Sequence, residues 1–178
     1  MASLGQRMVG AMQGNAATFE EIEHDQSAMG QAVTVIVIAG VAALIGNLFR
    51  QGITYGVMMM IISLIGYAIW AVTVTLVGTK LMPEPATKAD FAETFRTIAF
   101  AASPGVFNVI AIIPFLGPLL SFLIGIWSLV IMVIAVKVVL DYSTYGRAII
   151  VVIIGWIVNL IVTMIILTPI LIGSYIMG

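Results

Sequence analysis

Cysteine is absent from the 178-residue sequence, charge is scarce and histidine occurs once. The first absence removes disulfides, thiolate metal sites and cysteine nucleophiles, and it leaves nothing from which a redox compartment can be read. The scarcity of charge says more: 8% of the residues are charged and 62% hydrophobic, where an ordinary soluble domain carries roughly 25% charged residues. Too little polar surface remains to cover a particle in water. Several apolar runs approach the roughly 20 residues that a spanning helix needs, so the sequence specifies an integral helical membrane protein. A net charge of -1 offers no basic face to nucleic acid. No phosphate-cradling glycine loop, nucleophile elbow or zinc helix motif occurs, and the polar loops are too short for a catalytic domain. The reading is therefore non-enzymatic, with no cofactor expected.

What is present is a series of apolar runs with short polar punctuation. The pattern predicts an all-α fold, a bundle of about five transmembrane helices at 31–49, 56–77, 97–113, 119–140 and 148–172, accompanied by interfacial amphipathic helices. Residues 1–30 form an amino-terminal segment at the cytoplasmic surface, and 31–178 form the membrane domain. The first thirty residues carry four acids and no apolar core, so they read as neither a secretory signal nor a transit peptide. Gly52 and Gly56 suit a tight reversal between the first two spans.

From Arg96 to Lys137 no charge interrupts an apolar stretch that contains Pro104, Pro114 and Pro118. One helix cannot hold all of it. Pro114 and Pro118 mark a hairpin turn, ending one helix and opening the next, where proline is tolerated. Pro104 falls inside the third span, beside Ser103 and Gly105, where a kink is expected and the Ser103 hydroxyl or a neighbouring helix satisfies the freed carbonyl. Two readings stand for it: a packing kink, or a hinge or binding site that would include Asn108.

Positive residues set the orientation. Arg7, Lys80, Lys88, Arg96, Lys137 and Arg147 fall on one side and Arg50 alone on the other, which predicts a cytoplasmic amino terminus and, with five crossings, an outer carboxyl terminus. Tyr55, Tyr142, Tyr145 and Tyr175 fit an aromatic belt, while Trp70, Trp127 and Trp156 read as packing anchors within the spans. Phe91, Phe95, Ile98 and Ala102 share one helical face, with Asp90, Glu93, Arg96 and Thr97 opposite, as expected of a helix on the membrane surface. Capping-box spacing occurs at Thr87 with Asp90 and at Thr18 with Glu21. Phe19 and Ile22 make a small apolar contact beside Glu20 and Glu21.

Glu20 and His24 stand at i, i+4, but one histidine and one carboxylate fall short of a zinc site, and a solvated face is the expectation. Lys137, about one turn inside an apolar run, is expected to snorkel and to meet Asp141. Asn47, Asn108 and Asn159 are candidates for hydrogen bonds between helices, and Ala39, Ala42, Ala43 and Gly46 for close helix approach. The "MMMII" run gives a soft surface for lipid or a partner.

The segments "ATFEEIEHDQSAMGQAV" and "FRTIAFAASPGVFNVIAIIPFLGPLLSFLIGIWSLVIMVIAVKVVLDYSTYGRAIIVVIIGWIV" together resemble the Yip domain family, Rab-interacting five-span membrane proteins and their prokaryotic relatives. The resemblance rests on Phe95 and Arg96, the small residues before Pro104, the Ile-Pro-x-x-Gly turn from Ile113 to Gly117, Trp127, and Arg147 with Ala148. It implies a five-span bundle with a cytoplasmic amino terminus. The chain lacks the long cytoplasmic region and the "DLYGP" type of segment found in eukaryotic members, and it is similar to the bacterial branch, with Ala16 and Ala17 where that branch often has proline. Small-GTPase binding is accordingly not carried over. The expected partners are membrane lipids and other membrane proteins or further copies of the chain, and the expected location is the inner membrane. The expected role is a scaffold, with an accessory subunit of a bioenergetic complex and a small transporter or channel as alternatives.

Overall fold

The computed structural model describes residues 2–176, with side chains at every position except 50, 51, 166, 167 and 169–176. The Arg50 and Tyr175 side chains, both used in the reading above, and the carboxyl-terminal Gly178 lie outside what is described. The chain begins with two short antiparallel helices, α1 (Leu4–Met12) and α2 (Ala16–His24). Ser3 and Gln6 form a capping box on α1, and Asn15 caps α2. Gly14 between them has φ 68, a left-handed conformation that glycine adopts without a Cβ penalty. A Cβ at Gly10 would collide with Thr18, so glycine there lets the two helices touch.

A single 3-10 turn, Gln26–Ala28, leads into α3 (Met29–Leu76), which is two helices meeting at Gly52. Gly52 has φ 76 and ψ 164, a region essentially reserved for glycine, so the expected reversal is made there. The two arms pack antiparallel, with Gly40 against Met60 and Gly56 against Leu44. The second arm widens into a π-helical turn, Val77–Leu81. After the loop 82–90 come α4 (Phe91–Phe100), a 3-10 helix (Ser103–Ile112), α5 (Leu116–Val139) and α6 (Tyr145–Ile176).

Contacts between loops settle how often the chain passes from one end of the bundle to the other. Tyr142 donates to the Met82 carbonyl at 2.9 Å, the Thr87 hydroxyl to the Leu140 carbonyl at 2.7 Å, and Arg147 pairs with Glu84 at 3.2 Å. The Ser143 N–H and hydroxyl donate to Glu84, and the N–H, with help from Arg147, holds that carboxyl below its usual range. The ends of the second arm of α3 and of α5 therefore share one face of the bundle. At the other face, Phe49 lines a common hollow with Pro114, Phe115 and Pro118. Chain that leaves the first face at 91 and begins α5 at the second must cross between 91 and 112. Ten residues of α-helix and ten of 3-10 helix, at about 1.5 and 2.0 Å each, reach about 33 Å even with the observed 41° bend. A bilayer core is about 30 Å thick. Four helices are long and apolar enough to cross a membrane alone, and the bent pair makes the fifth crossing.

The turn before α5 is tight. Leu116 N–H bonds to the Pro114 carbonyl at 2.8 Å around Phe115, whose φ of 65 is a strained γ-turn for a residue with a side chain. Pro118 lies in the first turn of α5, as its missing donor requires.

Two cap assignments differ from the sequence reading. The box on α4 is Asp90 with Glu93, three residues later than Thr87 and Asp90, because the Thr87 hydroxyl is spent on Leu140. Thr18 lies inside α2, because Asn15, one residue after the left-handed Gly14, takes the cap.

Candidate functional site

The α1–α2 hairpin packs against α4 and α5 and buries Ala11, Phe19 and Ile22 completely. Arg7 secures it. Its side chain is 1% exposed, and its guanidinium donates to Gln31 at 3.0 Å, to Glu21 at 2.9 Å and to Asp25. Glu21 and Asp25 share one face of α2, so a single fork ties α1 to α2 and to the start of the first span. The Arg7 hydrogen bond draws Glu21 below its usual range, while Ser27 and Arg7 lower Asp25 to about 2.

Arg96 of α4 is buried beneath the same hairpin and donates to the Glu23 carbonyl at 2.6 Å. Thr94 and Thr97 are buried beside it. The polar face of α4, expected to meet headgroups, is thus covered by the chain's own amino terminus, while Phe91 stands exposed on the other side and contacts Phe95 at 6.0 Å. A buried guanidinium needs acceptors, and the hairpin backbone supplies one.

Glu23 is nearly buried in this seam and its pKa is raised to about 7, first by burial and then by Asp141, with Glu93 and Glu20 adding and His24 opposing. A raised carboxyl pKa means the docked hairpin retains a proton that a released one gives up. The stabilisation is full below about pH 4.5 and is lost as pH rises through about 7. Thermal stability in detergent is accordingly expected to fall between pH 5 and 8, with Glu23→Gln largely removing that dependence. The charged groups acting on Glu23 are Asp141, His24, Glu93 and Glu20, and His24 is itself raised by its bond to the Glu20 carbonyl, so its titration acts in the same direction and supplies the slope that remains in Glu23→Gln.

The second feature is the break in the third crossing. Proline at 104 has no N–H to give the Phe100 carbonyl, and the Ser103 hydroxyl takes its place at 2.7 Å. The expected kink is therefore present, but it extends into ten residues of 3-10 helix. Small residues let this segment lie against the first span: a Cβ at Gly105 would stand 2.9 Å from that of Ala39, and one at Gly46 would overlap the Asn108 carbonyl oxygen. The Asn108 amide itself has no hydrogen-bond partner among the described residues.

Trp127 joins the two features. Its indole stacks on Phe107 of the 3-10 segment with ring centres 5.8 Å apart, and its N–H donates to the Met12 carbonyl at 2.9 Å. Gly14 at the hairpin tip sits against Ile134 and Ile131 of the same helix.

The described geometry can be set beside known proteins. A family model described as the Yip1 domain matches residues 10–167, nearly the whole length. The chain belongs to the Yip1 domain family. Searches among curated proteins and among solved structures return no match. The matched region takes in α2, the break at Pro104 and all five crossings, while Arg7 and the first turns of α1 precede it.

The remaining candidates divide. Asn159 bridges to the Gly66 carbonyl at 2.8 Å, whereas Asn47 bonds only to Ala43 of its own helix. Lys137 does not pair with Asp141: the helix ends at Val139 and Asp141 turns left-handed with φ 51, which breaks the i, i+4 geometry. The ammonium lies instead 5.2 Å from the Tyr145 ring centre. Trp156 is 56% exposed and so is not a packing anchor of this bundle. The imidazole of His24 bonds to the Glu20 carbonyl, not to its carboxylate, and no cluster of metal-ligating side chains occurs among the described residues. Sequence reasoning missed the fork of Arg7 on Glu21 and Asp25, and it missed the buried Glu23. The available signal was Glu21 and Asp25 one turn apart, a two-carboxylate face awaiting a cation.

Proposed function

We propose that this Yip1-domain protein is a non-catalytic scaffold or organiser of the bacterial inner membrane, acting through protein and lipid contacts along its spans, with its amino terminus cytoplasmic and its carboxyl terminus outside. The supporting observation is how little of the second span, Gly52–Leu81, the chain covers for itself: 11% of its apolar window is buried, against 28% for the first span. One side of this span stays open to neighbours, with Val57, Ile61, Ile65, Val72 and Leu76 exposed, while its other side packs on the first arm through Met60 and Gly56. The orientation rests on the six-to-one distribution of positive residues.

The test places a photo-crosslinking residue at Ile61 or Ile65, both exposed on this span, in cells. Efficient crosslinks to one protein, a second copy or another membrane protein, support the scaffold. Crosslinks to lipid alone, with a monomer in mild detergent, would overturn it. A second reading, a small transporter, is favoured by the break at Ser103–Ile112, since interrupted helices line midplane sites in transporters. Solute flux into liposomes that Asn108→Leu abolishes would support that reading.

A further inference from the structure

A half-open cavity of about 380 Å³ lies between the second span, α5 and α6 and reaches the break at Ala101. Its depth follows from three helices independently. Trp70 lies eleven residues before Leu81, Ser128 eleven before Val139 and Trp156 eleven after Tyr145, each about 16 Å from the same face at 1.5 Å per residue. The cavity is therefore centred near the bilayer midplane. Its rim residues Leu129, Ile153 and Trp156 are exposed, so it opens sideways to the membrane interior and not to water.

The lining chemistry is restrictive. No charged residue faces the cavity, and three of its walls are the rings of Tyr67, Trp70 and Trp156, the first two stacked at 6.5 Å. The Trp70 indole N–H is buried without a partner, resting over Gly155, where a Cβ would collide with it. The hydroxyls of Tyr67 and Ser128 likewise have no hydrogen-bond partner among the described residues. Two free hydroxyls among apolar and aromatic walls suit an uncharged ligand with acceptor oxygens on a flat ring. Phospholipid headgroups stay at the interface, some 15 Å away, so an acyl chain alone would bring no acceptor to this depth.

We infer that this cavity binds the head ring of a membrane-dissolved quinone lipid, its carbonyls accepting from the Tyr67 and Ser128 hydroxyls and its ring lying among the aromatic walls. This site is independent of the scaffold reading and requires no partner protein. It is a binding site only, and no electron transfer is implied.

The test uses the full chain, singly reconstituted in phosphatidylcholine nanodiscs and titrated with a decyl-substituted benzoquinone while tryptophan fluorescence is read. Trp70 and Trp156 line the cavity, so occupancy is expected as a saturable quenching component above the linear quenching due to partitioning. Gly125 lines the cavity, and a Cβ there meets nothing within 4 Å. Gly125→Leu therefore fills the space without a clash; it is expected to weaken the saturable component at least tenfold and to leave thermal unfolding unchanged. Ser128→Ala, which removes one donor, is expected to weaken it by about two- to tenfold. Decylcyclohexane, which lacks carbonyls, is expected not to displace the quinone at equal concentration. Linear quenching alone, equal saturation in wild type and Gly125→Leu, or displacement by decylcyclohexane would each overturn the inference.

Discussion

Replacing Arg7 with methionine is expected to release the amino-terminal hairpin from the bundle. Methionine keeps the apolar stem of the side chain, so the change removes chiefly the guanidinium. Three acceptors lose their donor at once, on Gln31, Glu21 and Asp25. Breaking a fully buried pair costs about 3–5 kcal/mol. Here Glu21 is 42% exposed and Asp25 18%, so both carboxylates recover some water and the cost falls to about 2 kcal/mol. That difference shifts the docked-to-released ratio by about thirtyfold. Hydrogen exchange checks it: amides of α1 and α2 are expected to lose protection in Arg7→Met while those of α5 keep theirs. Release would also uncover Arg96, whose acceptor is the Glu23 carbonyl. Unchanged protection in α2 would show that the apolar contacts of Phe19 and Ile22 hold the hairpin without the ionic fork.

Gly46→Val is expected to be the most damaging change within the bilayer. The atom that an added Cβ would meet is the backbone oxygen of Asn108, which cannot rotate away as a side chain would. Overpacking of this kind costs about 1–3 kcal/mol, and contact with backbone puts Gly46 at the upper end. The expected result in detergent is an apparent Tm lower by about 5–10 °C. Gly30→Val on the same arm is the control, since nothing lies within 4 Å of its added Cβ. Equal losses in the two variants would mean that valine's lower helix propensity, and not the approach of the third crossing, governs the effect.

Local chemistry made much of this architecture legible. Runs of apolar residues located four crossings, and Pro104 marked the break because a missing N–H is visible in any sequence. The ten-residue 3-10 continuation was not, since it depends on Gly46 and Ala39 of another helix lying close beneath it. The polar face of α4 illustrates the same limit. Asp90, Glu93, Arg96 and Thr97 describe an amphipathic helix correctly, but periodicity does not say what covers the polar side, and the partner of Arg96 is 73 residues away. Arg7 was read only as a positive charge on one side of the membrane. Its pairing with residues 14 and 18 positions on requires the left-handed turn at Gly14 to fold α1 back on α2. Lys137 was misassigned for a local reason, the helix ending two residues after it, which an apolar run does not reveal.

The central claim is that the bent segment from 91 to 112 carries the chain across the membrane. The natural absence of cysteine makes the test clean. Single cysteines at Lys88 and at Phe115, which is 98% exposed, are labelled with a membrane-impermeant maleimide in intact cells and again after permeabilisation. Five crossings predict that Phe115→Cys reacts in intact cells and Lys88→Cys only after permeabilisation. Both positions reacting from the same side would contradict the crossing and the bundle built upon it.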